Sequence, residues 1–132
     1  MLVYMCVGLG GGLGAMTRFW LNGVISRWSG ETFPLGTLTI NVTGSMIIGL
    51  FAALTDPDGR WMVDPMIRTF FMVGMCGGYT TFSSFSLQTL NLARDGEWLY
   101  AGANVLLSLS LCLLSVWVGH VAGVSLSQPG GR

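Results

Sequence analysis

A chain of 132 residues is one domain at most, and this one is 52% apolar with 9% charged residues, against roughly 25% charged in a typical soluble domain. Its mean hydropathy is +0.64, its formal net charge is zero, and every basic side chain is an arginine. These values exclude a small water-soluble domain, which needs surface charge to stay dispersed, and a basic footprint for nucleic acid; the expected solvent is membrane lipid.

The first apolar run covers about residues 2–25. No basic segment precedes it and no A-x-A-like site follows, so a cleaved signal peptide is not expected. It carries Gly8, Gly10, Gly11, Gly12 and Gly14, then Ala15. Gly10 and Gly14 form a small-xxx-small pair, which lets helix backbones approach closely in lipid. A dinucleotide-binding reading fails because no strand precedes the glycines and no βαβ unit follows. Arg18 sits late in this run, either as a side chain snorkelling to the interface or as a fixed positive charge at the mouth of an anion path. Arg27 and Glu31 belong to the first loop.

The second run covers about residues 34–55. Thr37, Asn41 and Ser45 recur every four residues and share one helix face, suited to interhelical hydrogen bonds or to donating to a desolvated anion. Asp56, Asp58, Arg60 and Asp64 fill the second loop. The third run, about residues 63–92, is interrupted by Gly77-Gly78-Tyr79-Thr80-Thr81-Phe82-Ser83-Ser84-Phe85-Ser86. Paired glycines, β-branched threonines and hydroxyl side chains weaken a helix locally, so a break is expected near residues 77–81. A broken membrane helix frees carbonyls, which is tolerated only where protein buries them or they line a cavity, and freed carbonyls can bind a cation.

Arg94, Asp95 and Glu97 form the third loop. The fourth run covers about residues 98–124, where Asn104, Ser108 and Cys112, again four apart, make a mildly polar stripe with Ser115 nearby. The tail from Ser127 to Arg132 is expected to fray. Each run is near or above the roughly 20 residues that cross a bilayer core. The chain is therefore expected to be a single all-α integral membrane domain, residues 1–132, of four transmembrane helices with the third broken in mid-membrane.

Arginines do not orient it. The second loop and C-terminus share one side, with Arg60, Arg68 and Arg132; the other side has Arg18, Arg27 and Arg94. Three against three gives no positive-inside bias, which fits a chain that inserts both ways and pairs antiparallel with itself. Cys6, Cys76 and Cys112 are far apart, lack metal-ligand spacing and are odd in number, so they read as small apolar residues. No Asp or Glu stands within a span, and no nucleophile–base pair or phosphate loop occurs. An enzyme is not expected, and the embedded polar groups are donors without a titrating centre, which favours passive anion conduction over coupled transport.

Three segments, Gly11–Arg18, Gly36–Asn41 and above all Gly77–Ser86, agree in residues, order and spacing with the CrcB/Fluc family of bacterial fluoride channels, which the chain resembles over nearly its whole length. The resemblance implies passive fluoride export that protects against fluoride toxicity. It also implies a multi-pass protein of the bacterial inner membrane, an antiparallel dual-topology homodimer with two pores, and a structural Na⁺ at the dimer interface. By position, the backbone carbonyls of Gly77 and Thr80 hold the Na⁺, and Phe82 and Phe85 turn ring edges to fluoride. Asn41 is then the pore asparagine and Arg18 the vestibule arginine, while Asn104 and Ser108 fall on the fourth-helix polar track. Thr37, Ser83 and Ser84 complete the pore set. Gln88 stands where the family often has glutamate, Asn104 where Tyr or Ser is frequent, and Cys112 where a hydroxyl is common; these departures bear on conductance. Fluoride holds its water tightly, so a selective pore must replace that water with close donors, and an aromatic edge carries partial positive charge. The runner-up, a small dual-topology proton-coupled multidrug exporter, needs a glutamate embedded in the first helix, where there is none. An accessory membrane subunit without transport of its own does not account for the third-span motif.

Overall fold

A computed structural model of the chain describes residues 1–30 and 32–127. Among them every regular element is helical. Helices α1 (Leu2–Ser29), α2 (Leu35–Leu54) and α6 (Trp98–Ser127) are each long and apolar enough to cross a membrane. The third span is composite. It opens with α3 (Pro65–Thr69), widens into a π-helical stretch (Phe70–Cys76), closes with α4 (Gly77–Tyr79), passes through Thr80 and Thr81, and resumes as α5 (Phe82–Arg94). Neither half alone has the length of a span, which is the consequence of a break roughly halfway along it.

Several boundaries lie beyond the expected ones. Helix α1 continues to Ser29, taking Arg27 into its last turn, where a cation offsets the negative end of the helix dipole. Helix α6 runs on to Ser127, so that residue is helical rather than frayed. Glu31 and the tail from Gln128 to Arg132, including the third arginine counted on its side, lie outside the described residues. Asp64 starts α3 as its N-cap, accepting from the Met66 amide at 2.7 Å. The turn between α5 and α6 closes on Gly96, whose φ of 82° is the left-handed conformation that glycine adopts without penalty.

The ends sort as the loop assignment requires. The Arg60 guanidinium donates to the Leu126 carbonyl at 3.3 Å, joining the second loop to the end of α6. At the other side the Phe33 and Tyr100 rings meet edge-on, 6.1 Å between centroids, joining the first loop to the start of α6.

Helix α2 packs along α6, while α1 packs along the π-helical stretch and α4. Gly10 and Gly14, the only buried residues of α1, face Gly74 and Gly78. A Cβ on Gly10 would sit 2.6 Å from the Phe70 carbonyl oxygen, and one on Gly14 would overlap the Met75 carbonyl. A Cβ on Gly78 would overlap the Gly11 carbonyl. The small-xxx-small reading of α1 holds, and it has a counterpart on the third span. The break is correspondingly narrower than the expected 77–81. Gly77 and Gly78 are helical, and at Gly78 close backbone packing on α1 compensates the poor intrinsic propensity. The non-helical residues are Thr80 (φ −83°, ψ 158°) and Thr81 (φ −153°, ψ 112°), where β-branched side chains favour extended backbone.

The same substitution should therefore act with opposite sign at two neighbouring glycines. Gly14→Ala forces α1 away from the third span and should lower stability in detergent by about 1–3 kcal/mol. Gly12→Ala, whose added Cβ meets nothing within 4 Å, should raise it by up to about 1 kcal/mol through helix propensity. Denaturant unfolding of purified protein followed by tryptophan fluorescence measures both.

Candidate functional site

In a continuous helix the Thr81 N–H would bond the Gly77 carbonyl. Here it donates instead to Asn41 Oδ1 at 2.8 Å, and Asn41 Nδ2 donates back to the Thr81 carbonyl at 3.0 Å. The side-chain amide of α2 thus pairs with the interrupted backbone at two points, as a neighbouring strand would. Asn41 keeps one further N–H for another acceptor. The Thr81 side chain caps α5: its Oγ1 accepts from the Ser84 amide at 3.2 Å and donates to Ser84 Oγ at 3.0 Å. On the other side of the break, the Thr80 N–H and Oγ1 both donate to the Cys76 carbonyl, at 3.0 and 2.9 Å. Tyr79 and Thr43 join their hydroxyls at 2.9 Å, a second tie between α2 and this region.

Arg18 lies well inside α1, not near its end, and does not snorkel outward. Its guanidinium turns to the break and donates to the Thr80 carbonyl at 3.5 Å. A positive charge therefore stands beside the freed backbone.

Three cavities follow one another along this region. The first, about 450 Å³, opens at the first-loop side and includes Asn22, Ser26, Gln88 and Asn91. The second, about 370 Å³, holds Arg18, Thr37, Thr81 and Ser84, and shares Asn22 and Gln88 with the first. The third, about 300 Å³, holds Asn41, Phe82, Phe85 and Ser108, with Gly77 and Thr80 on its wall, and shares Thr81 with the second. The cavities thus adjoin from one end of the bundle to the break, with mixed polar walls on the first-loop side and a mainly apolar wall beyond the break.

Most expected site residues meet here. Arg18, Thr37 and Ser84 border the middle cavity; Asn41, Phe82, Phe85 and Ser108 border the inner one. The Phe82 and Phe85 rings lie 5.2 Å apart, tilted by 51°. Phe85 is 8% exposed, whereas Phe82 is 72% exposed and points out of the chain. Two expected residues stand apart from the cavity walls. Ser83 is exposed, with its hydroxyl 3.3 Å from Thr81 Oγ1. Asn104 is 1% exposed and donates to Thr89 Oγ1 at 2.8 Å, while its Oδ1 accepts from Ser108 at 3.4 Å, so it joins α6 to α5. His120 is exposed in a separate cleft with Asp56 and Asp58.

Asn22 and Gln88 were not among the expected site residues. Asn22 follows Arg18 by four residues on α1, a spacing that would have found it. Gln88 buries Oε1 without a hydrogen-bond partner on the track, and only its place in the fold shows that.

Residues 5–120 match the family described as "CrcB-like protein, Camphor Resistance (CrcB)". Proteins named "Fluoride-specific ion channel FluC" are similar over almost the full length. That of Rhodospirillum rubrum is 55% identical over 127 residues, 96% of this chain and 98% of its own. That of Paramagnetospirillum magneticum is 59% identical over 128 residues, 97% of this chain and all of its own. That of Opitutus terrae is 56% identical over 131 residues, 99% of each chain.

The cap on α5 is testable apart from any transport. Thr81→Val keeps the backbone pair with Asn41 but removes the hydroxyl, and should destabilise the first turn of α5 by about 1 kcal/mol. Hydrogen exchange at Phe82 to Ser84 should speed up roughly fivefold, with exchange in α6 unchanged.

Proposed function

The chain belongs to the CrcB family, and on that premise we propose that it is a fluoride-specific ion channel that lets fluoride leave the cell passively and so protects against its toxicity. It is not an enzyme. The observation that carries this reading is the track of amide, hydroxyl and guanidinium donors that meets the Asn41–Thr81 pair, with aromatic rings beyond it. Such donors replace the water that fluoride must shed. The remaining Asn41 N–H, the Thr37, Ser83, Ser84 and Ser108 hydroxyls and the Phe82 and Phe85 ring edges are the groups we assign to fluoride, with Asn104 supporting Ser108. Arg18 supplies positive potential at the vestibule.

The unit we propose is an antiparallel, dual-topology homodimer in the bacterial inner membrane. Two features favour a second copy. Phe82, a channel residue in this reading, is exposed on a single chain. The Gly77 carbonyl has lost the Thr81 N–H to Asn41 and stands on an exposed residue, where lipid offers no donor. Paired across the two-fold axis, the Gly77 and Thr80 carbonyls give four hard oxygen ligands, which suit Na⁺. The Thr80 carbonyl has a second lone pair beyond the one that meets Arg18. Such an ion would supply positive charge close to the anion path, where attraction is strong in a low dielectric. The exporter alternative lacks support, because α1 holds no carboxylate.

Fluoride efflux from liposomes tests the function. Efflux should follow membrane potential, set by a potassium gradient with valinomycin, and a pH gradient at zero voltage should drive no accumulation. Proton-driven accumulation, corrected for passage of HF through lipid, would replace the channel with an antiporter. His120→Ala should leave the rate unchanged. Asn41→Asp puts a carboxylate beside the anion; at about 5 Å and an effective dielectric of about 20, like charges repel by about 3 kcal/mol. Efflux should fall roughly a hundredfold. Phe82→Ile, which keeps bulk and removes the ring edge, should also reduce it strongly in protein that remains dimeric.

Topology is tested separately. A terminal tag should be labelled from both sides of the membrane in comparable amounts; labelling from one side only rules out dual insertion.

A further inference from the structure

Helix α5 starts anew after the break, so the helical ladder of the first half of the span does not hold it in place. It packs mainly on α6, to which residues 95–97 join it. So short a connection makes the two helices antiparallel neighbours. Thr89 stands one turn beyond Phe85 on α5, and Asn104 one turn before Ser108 on α6. Phe85 and Ser108 both border the inner cavity, whereas Thr89 and Asn104 do not. Asn104 Nδ2 donates to Thr89 Oγ1 at 2.8 Å, and that hydroxyl donates in turn to the Phe85 carbonyl, also at 2.8 Å. Asn104 Oδ1 accepts from the Ser108 hydroxyl at 3.4 Å. One amide is thus tied both to the turn that carries Phe85 and to Ser108. Among the described residues no other side-chain hydrogen bond joins α5 to α6. Asn104 is 1% exposed, so no water replaces a partner that it loses.

Resting on the channel reading, we propose that Asn104 and Thr89 are positioning residues. Their hydrogen bond holds Phe85 and Ser108 at a fixed separation at the inner cavity, and that separation sets the preference for fluoride over larger anions. Neither residue borders the cavity, so neither touches the ion. Fluoride gives up its water only to groups held at close, well-defined distances. Without the Asn104–Thr89 bond, α5 is retained on α6 by packing alone, and in a membrane the lipid competes well for apolar contact. A gap free to widen weakens contacts with the smallest ion first. Chloride, with longer contacts and a looser water shell, loses less. The Asn104–Ser108 contact is long for a bond between oxygens, so the Ser108 hydroxyl is turned toward the amide without being locked there and can still donate to an ion.

Fluoride and chloride efflux from liposomes tests this, on full-length variants that elute as wild type does. Thr89→Val keeps the outline of the side chain and removes its hydroxyl. It should lower the ratio of fluoride to chloride efflux roughly fivefold, the factor that matches one ordinary hydrogen bond. Thr89→Ser keeps the hydroxyl and should keep the wild-type ratio. In an Asn104→Leu background the bond is already gone, so Thr89→Val should lower the ratio no further. The double variant leaves no buried amide without a partner, so it carries the test even where Thr89→Val alone misfolds, and its ratio should be the lowered one. A role in stability alone would shift the unfolding midpoint and leave the ratio at the wild-type value. A wild-type ratio in the folded Thr89→Val or double variant, a Thr89→Ser ratio as low as that of Thr89→Val, or an undiminished effect of Thr89→Val in the Asn104→Leu background overturns the proposal. Wild type that carries no fluoride overturns the channel reading and the proposal with it. Wild type that carries fluoride, with every variant at its ratio, overturns the proposal alone.

Discussion

A helix interrupted inside a bilayer leaves N–H and C=O groups that lipid cannot satisfy, at a cost of several kcal/mol each. The Asn41 side chain answers this at Thr81, giving one acceptor and one donor to a backbone that has abandoned its helical partners. Everything distinctive about the chain depends on that pair. It permits two extended residues in the third span, and it fixes α2 against the break. It also frees the Gly77 carbonyl and, with the Thr81 cap, lets α5 restart at Phe82.

The pair works only because the helices come close enough. Gly44 on α2 leaves room for the Thr80 and Tyr79 side chains, and glycines on α1 and on the third span remove the side chains that would hold those two backbones apart. In lipid, where apolar contact between helices gains little over contact with acyl chains, close backbone packing is the main source of association. The same approach sets Arg18 beside the Thr80 carbonyl. A guanidinium held there raises the potential of the middle cavity, whose lining has no carboxylate, while Asp95 and Glu97 line the cavity at the first-loop side. Binding an anion on such a track needs no proton partner, and this separates passive conduction from exchange.

The inner cavity carries amide, hydroxyl and aromatic groups among otherwise apolar neighbours, and such groups suit a small hard anion.

Run length and polarity alone indicated a helical membrane protein with its carboxylates between the apolar runs, because lipid penalises a misplaced charge or an unpaired backbone group wherever it occurs. The break was legible in the glycines, threonines and serines of the third span, and the Gly10–Gly14 face was legible in α1. The break falls on Thr80 and Thr81, within the expected 77–81, and local propensity could not report that Gly78 packs on Gly11 and stays helical. Which polar residues share a path was decided by the tertiary structure. Asn22 and Gln88 joined the track, and Asn104 left it for Thr89. Spacing along one helix shows which residues share a face, but only the packing of helices against each other determines what that face meets.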